Sequence, residues 1–268
     1  MKNSKNIKEI VKDKYGAIAK DASKESGCGC CCGSSSKKIV DYTIMSDDYS
    51  QLNGYTKDAD LGLGCGLPTE FANLKIGDTV VDLGAGAGND VFVARSIVGD
   101  TGKVIGIDLT EEMIDLANTN KEKLGFSNVD FRLGEIEDLP VDEKSTDVVI
   151  SNCVLNLVPN KEKSFSEIYR VLKSGGHFCI SDIVLVGNLP EGLKKSAEMY
   201  AGCVAGALQQ EDYIGIIKQT GFKNVEIKKT KTITIPDEIL AEYLTEDQLS
   251  DYNNSGIGIY SITVVGEK

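Results

Sequence analysis

The sequence predicts an α/β protein with a doubly wound, mostly parallel sheet of seven strands and a small C-terminal α+β appendage. Three observations predict it. Short apolar runs alternate with amphipathic stretches from residue 78 to residue 184. One of these runs, Val80-Val81-Asp82-Leu83, passes directly into Gly84-Ala85-Gly86-Ala87-Gly88-Asn89-Asp90 and then into the amphipathic Val91-Phe92-Val93-Ala94-Arg95, the pattern of a strand, a tight glycine turn and a helix start. The next run, Lys103 to Asp108, ends in an acid twenty residues beyond Gly88.

The elements follow in order. Ile7, Ile10, Val11, Tyr15 and Ile18 recur at helical spacing among lysines, giving an amphipathic helix over residues 3–20 that stops near Gly27. Gly27-Cys28-Gly29-Cys30-Cys31-Cys32-Gly33-Ser34-Ser35-Ser36 then reads as a flexible segment carrying four thiols. Residues 41–75 are polar and irregular up to Gly64-Cys65-Gly66-Leu67-Pro68, a glycine-flanked cysteine ahead of a short helix, Glu70 to Leu74. After the strand ending at Asp108, Leu109-Thr110-Glu111-Glu112-Met113 begins another helix. Val129 to Leu133 is a third strand, leading into Gly134-Glu135-Ile136-Glu137.

Asp147 to Ile150 reads as a buried parallel strand running out into Ser151-Asn152-Cys153-Val154-Leu155-Asn156, and ligands of such sheets sit beyond the carboxyl ends of the strands. A helix over 161–172 precedes a strand starting at His177, which lies at the amino end and reads as structural, while Cys179 in mid-strand reads as an inert core thiol. Glu191 to Gln209 is a helical stretch with small residues around Cys203; a helix from Glu211 to Thr220 and strands at Val225–Ile227 and Ser261–Val265 close the chain. The expected division is 1–60 for the N-terminal helix and cysteine-rich segment, 61–185 for a cofactor-binding domain, and 186–268 for a second-site helix and closing strands.

Composition narrows the partners. A formal charge of −12 repels phosphate backbones and anionic lipid surfaces, which argues against nucleic acid and membrane partners. No apolar stretch approaches the about eighteen residues needed to span a bilayer, and a cytoplasmic, monomeric protein acting on a small molecule is expected. Eight cysteines in a reducing compartment point to soft-ion, redox or catalytic use rather than a disulfide framework. A single histidine leaves little material for a histidine zinc site or a histidine base, and no structural metal is expected.

The glycine turn specifies its ligand by what it lacks. A dinucleotide fingerprint wants a third glycine where Asn89 stands, and no Gly-Lys-Ser/Thr follows for a P-loop. Ribose recognition at Asp108 without pyrophosphate recognition suggests an adenosine such as S-adenosylmethionine, hence a Rossmann-like methyltransferase architecture. Glu135 and the backbone N–H of Ile136 could read an adenine edge, or form an ordinary solvated loop. Oxygen and nitrogen acceptors usually need a base, whereas thiols at Cys65, Cys153 and Cys203 suggest a soft acceptor; trivalent arsenic binds thiolates and attacks with its own lone pair. Two alternatives stay open: a small-metabolite methyltransferase with incidental cysteines, and a thiol protein that sequesters arsenic without turnover.

Over roughly residues 10–230 the chain resembles the arsenite S-adenosylmethionine methyltransferases. The resemblance is carried by Gly64-Cys65-Gly66-Leu67-Pro68, Asp82-Leu83-Gly84-Ala85-Gly86-Ala87-Gly88, Ser151-Asn152-Cys153-Val154-Leu155-Asn156-Leu157 and Ala201-Gly202-Cys203-Val204-Ala205-Gly206-Ala207. It implies a class I methyltransferase fold that methylates arsenite, or its glutathione conjugate, in arsenic detoxification. It implies that Cys153 and Cys203 hold arsenic, with Cys65 a third ligand and the exchange partner of an N-terminal thiol, Cys31 or Cys32. For the donor it implies Asp82 and Gly84, with Gly86 and Gly88, at the methionine part. Asp108 and Met113 fall about the ribose and adenine, Glu135 and Ile136 at the adenine edge, and Asn152 among the remaining contacts. S-adenosylhomocysteine is the implied product, and thioredoxin or a small thiol the implied reductant. Four N-terminal cysteines replace the family's commoner adjacent pair, and the long C-terminal extension of larger members is absent.

Overall fold

In the computed structural model the described residues are 2–25, 47–187, 206–233 and 258–268, together with 244, 245, 247, 248 and 250. Cys31, Cys32 and Cys203 lie outside them, as does most of the helix expected over Glu191 to Gln209.

Strands β1 (Thr79–Leu83), β2 (Lys103–Asp108), β3 (Val129–Leu133), β4 (Thr146–Asn152), β5 (Leu172–Val186), β7 (Lys223–Thr232) and β8 (Gly258–Glu267) form one sheet in the order β3-β2-β1-β4-β5-β8-β7. The two-residue β6 (Leu208–Gln209) pairs with β5 beside this path. Pairing is parallel from β3 to β5, and β8 enters antiparallel between β5 and β7. The order reverses between β1 and β4, so the carboxyl ends of these strands open a crevice where their loops part.

Alternation within single strands explains the two-sided core. Val80, Val104, Val148 and Ile150 pack on one face with Val91, Phe92 and Ala94 of α3 (Asn89–Val98) and Met113 and Ala117 of α4 (Glu111–Leu124). Their neighbours Val81, Ile105 and Val149 pack on the other, with Phe165 and Ile168 of α5 (Lys161–Val171) and Tyr213 and Ile217 of α6 (Gln210–Gln219). A strand buried on both sides reads as a continuous apolar run, which is how β1 and β4 appear in the sequence. Helix α1 (Lys2–Glu25) joins the first face through Tyr15, Ile18 and Ala19.

Several boundaries differ from those expected. The short helix α2 is Pro68–Phe71 rather than Glu70–Leu74, because Pro68 supplies its preset φ at the first helical position. Leu208 and Gln209 extend as β6, answering Val184 and Leu185 at the end of β5, instead of ending a helix. Strand β7 runs ten residues, its lysines marking an edge strand that alternation of charge hides from a hydrophobic reading. Strand β5 begins at Leu172, five residues before the expected start at His177, because Leu172 already pairs with Thr146 ahead of a register shift in β4; His177 lies within the strand, with Nε2 2.6 Å from the Ala72 carbonyl oxygen. Among the described residues no helix is long and apolar enough to cross a membrane.

Candidate active site

The glycine turn is shaped by its neighbours. The N–H groups of Gly84 and Ala85 both donate to the Ile107 carbonyl, at 2.7 and 2.9 Å, which binds the turn to the end of β2. Gly84 and Gly86 have φ of +69° and +52°, but for different surroundings: a side chain at Gly84 would strike Val154, whereas nothing lies within 4 Å of the Cβ position of Gly86. Gly86 therefore presents bare backbone to open space, as a close-approaching ligand requires. Gly88 has another use, since it caps α3 with φ of +99° and a Cβ there would meet Phe92 and Phe131.

One cavity collects the expected donor residues. Asp82, Gly84, Gly86, Asp108, Met113, Glu135, Ile136 and Asn152 line it together with Cys153; Gly88 and Cys65 do not. Asp108 accepts from the backbone N–H of Gly86 at 3.0 Å and of Thr110 at 2.9 Å, which fixes its carboxylate at the end of β2. Burial raises its pKa, against those hydrogen bonds. Asp82 is buried, and burial followed by the charges of Asp90 and Asp108 pushes its pKa well up. Among the described residues no donor is seen to reach it. Asp90 is pushed by burial up to about 6, although Asn152 and Tyr49 hydrogen-bond to it.

Asp82 and Asp90 are buried and Asp108 is half-buried, and carboxylates so placed beside an open glycine backbone are costly without positive charge nearby. The side-chain oxygen of Asn89, another lining residue, is buried with no hydrogen-bond partner among the described residues. Both features fit a cationic adenosine ligand such as S-adenosylmethionine. Asp82 would face its positive charge, Asp108 its ribose, and Gly86 its close-packed chain.

The cysteines enter from two loops. Cys153 follows β4 in the left-handed region, φ +60°, a conformation unfavourable for a residue with a Cβ and enforced here by its N–H donating to the Ser181 carbonyl at 2.8 Å. It is buried in the cavity wall. Cys65 is 1% exposed and lies behind Asn152: its N–H donates to Asn152 Oδ1 at 2.9 Å and its carbonyl accepts from Ser261 Oγ. The glycines around it are steric necessities. A Cβ on Gly64 would come 2.6 Å from Asn152 Nδ2, and one on Gly66 2.5 Å from Ser181 Oγ. Cys65, Cys153 and Cys179 are not joined in disulfides, and burial pushes the Cys179 thiol far up, as befits a core residue.

Sequence reading missed Tyr49 and Lys8, which also line the cavity, and assigned no role to Asp90. Tyr49 lies in a polar stretch with no periodicity, and Lys8 is one of many lysines on its helix; neither carries a local signal. Asp90 could have been found as the acid two residues past the last glycine of the turn.

Residues 74–221 match a family described as a methyltransferase domain. The chain is 40% identical over 263 residues to an arsenite methyltransferase of Halobacterium salinarum, covering 94% of this chain and 65% of that protein. It is 34% identical to an arsenite methyltransferase of Aquipseudomonas alcaligenes, covering 88% of this chain and 68% of the relative. The crystal structure of an arsenic(III) S-adenosylmethionine methyltransferase from Chlamydomonas reinhardtii superposes with a TM-score of 0.65 at 36% identity, covering 76% of this chain and 67% of that one. The chain thus spans about two thirds of the length of these relatives.

Proposed function

The chain belongs to the arsenite methyltransferase family, and from that premise we propose that it transfers methyl groups from S-adenosylmethionine to thiol-bound trivalent arsenic, an arsenic-detoxifying reaction. The observation that carries the reading is Cys153, a buried thiol on a strained backbone in the wall of the same cavity as Asp82, Gly86 and Asp108. When bound, S-adenosylmethionine supplies an electrophilic methyl group on a sulfonium sulfur. Asp82 balances the positive charge, Asp108 accepts from the ribose, Gly84 and Gly86 admit the methionine part, Met113 covers the ring, and Glu135 with the Ile136 N–H meets the adenine edge.

Cys153, with Cys65 and Cys203, would take arsenic from a small-thiol conjugate such as that of glutathione. Each exchange forms one arsenic–sulfur bond to the protein, breaks one to the carrier, and passes the protein thiol's proton to the departing thiolate. The arsenic lone pair then attacks the methyl carbon; an arsenic–carbon bond forms, the sulfur–carbon bond breaks, and S-adenosylhomocysteine leaves. No proton has to be removed, so the cavity needs no base at the acceptor.

Arsenic is formally oxidised from the trivalent to the pentavalent state, and two electrons must return. Two thiols supply them by closing a disulfide with loss of two protons; Cys65 and either Cys31 or Cys32 fill that role. Thioredoxin or a small thiol then reduces the disulfide.

The test is incubation of the purified protein with arsenite, methyl-labelled S-adenosylmethionine and glutathione, followed by chromatography of the arsenic species. Label in methylarsenic supports the reading, and its absence despite donor binding overturns it. Cys153→Ser should lose arsenic binding and keep donor binding; full methylation by that variant would remove Cys153 from the ligand set.

A further inference from the structure

The hydroxyl of Tyr49 stands at the centre of a buried network that joins the donor cavity to the loop carrying Cys65. Tyr49 is 4% exposed and its hydroxyl lies 2.9 Å from both oxygens of Asp90, to which it donates. The same oxygen accepts from Asn152 Nδ2 at 2.5 Å and lies 3.1 Å from the Gly66 carbonyl. Asn152 completes the circuit. Its Nδ2 also reaches the Gly66 carbonyl at 2.8 Å and Asp90 Oδ2 at 3.2 Å, while its Oδ1 accepts the N–H of Cys65 at 2.9 Å.

The Cys65 N–H and the Gly66 carbonyl are therefore held by one amide, and that amide is oriented by Tyr49 and Asp90. The orientation is forced, because a flipped Asn152 would turn its oxygen toward a carboxylate and a carbonyl and its NH2 toward an N–H donor. Tyr49 is itself anchored in sequence. Two residues before it, Asp47 is ion-paired with Lys229 at 3.0 Å and Lys231 at 2.7 Å on β7.

We propose that Tyr49 is a positioning residue for methyl transfer, holding the Cys65–Gly66 backbone, through Asn152, in fixed relation to Asp90 and the donor cavity. The consequence for turnover rests on the arsenic-methylating reading above. The mechanical claim, that the Tyr49 hydroxyl immobilises the Cys65 loop, does not.

Tyr49→Phe deletes the hydroxyl and keeps the ring. Full-length protein of each form is treated with iodoacetamide over time, and alkylation of Cys65, Cys153 and Cys179 is read separately by peptide mass spectrometry. Losing one buried hydrogen-bonding group should speed Cys65 alkylation by about fivefold. Cys179, buried in the sheet, should keep its wild-type rate. Affinity for S-adenosylhomocysteine, read by calorimetry, should stay within about threefold, while arsenite turnover at saturating donor falls by about tenfold or more.

Unchanged Cys65 protection in Tyr49→Phe would overturn the proposal. Should Cys179 also label faster, the fold has loosened, and Asn152→Ser decides in its place: a gain confined to Cys65 supports the proposal and an equal gain at Cys179 overturns it. Absence of arsenite turnover in the wild type would remove the functional reading and leave the labelling result standing.

Discussion

The Lys8 ammonium reaches the Glu135 carboxylate at 2.7 Å and also contacts Glu137, so the acid expected at the adenine edge already holds a cation from α1. Helix and loop are 127 residues apart in sequence. A donor that needs Glu135 must share it with Lys8 or displace it.

Displacement makes a measurable difference. Lys8→Gln should tighten S-adenosylmethionine binding by roughly threefold, in line with about 0.7 kcal/mol for a partly exposed ion pair that no longer has to be broken. Isothermal titration calorimetry of the two proteins reads it directly. Weaker binding in the variant would mean that Lys8 assists the donor instead of competing with it.

The glycines separate stability from binding. At Gly64 a methyl group has no room beside Asn152, and Gly64→Ala should destabilise the fold by about 1–3 kcal/mol in urea unfolding. Gly86→Ala faces open space and bears only the left-handed strain, about 1–2 kcal/mol, yet its methyl group projects toward the donor and should weaken donor binding by roughly tenfold. Equal donor affinity in Gly86→Ala and wild type would exclude the turn from the contact surface.

A second buried acid controls pH dependence. Asp182 is completely buried, accepts from the Ile183 N–H at 3.0 Å and the Tyr213 hydroxyl at 3.2 Å, and is pushed by burial up to about 7. The unfolded chain releases that proton near pH ~4. Between these values the folded state binds more protons than the unfolded state, so this group lowers stability as pH rises across the window and has no further effect above it. Asp182→Asn removes the ionisation. Its melting temperature relative to wild type should therefore rise from pH 4.5 to pH 7.5 and then level off; parallel profiles across that range would refute the buried ionisation.

Much of this architecture could be read locally. Strands β1, β2 and β4 and the helices between them announce themselves because a sheet covered on both faces needs continuous apolar runs, while the edge strand β3 is legible by its alternation of Val129, Phe131 and Leu133 with charged residues. The turn at Gly84–Gly88 announces itself because only glycine tolerates those φ values and that proximity to Val154 and Phe92. Cys65 and Cys153 stood out as thiols set in loops, Cys65 between glycines ahead of α2 and Cys153 at the end of β4. Strand β7 was legible only at Val225 and Ile227, since the lysines along the rest of its ten residues are those of a solvent-facing edge and give no apolar signal.

What the sequence by itself determined is the class of fold, the cavity's floor and the type of ligand it admits, because each depends on residues close together in the chain. Which side chains complete the site was decided only by tertiary structure. Asn152 meets Cys65 across 87 residues and Tyr49 across 103, and Lys8 finds Glu135 across 127. A hydrogen bond between distant residues leaves no periodicity in the chain; it exists because the sheet's parallel order brings the ends of β1 and β4 together and the segment before Gly54 folds back over them.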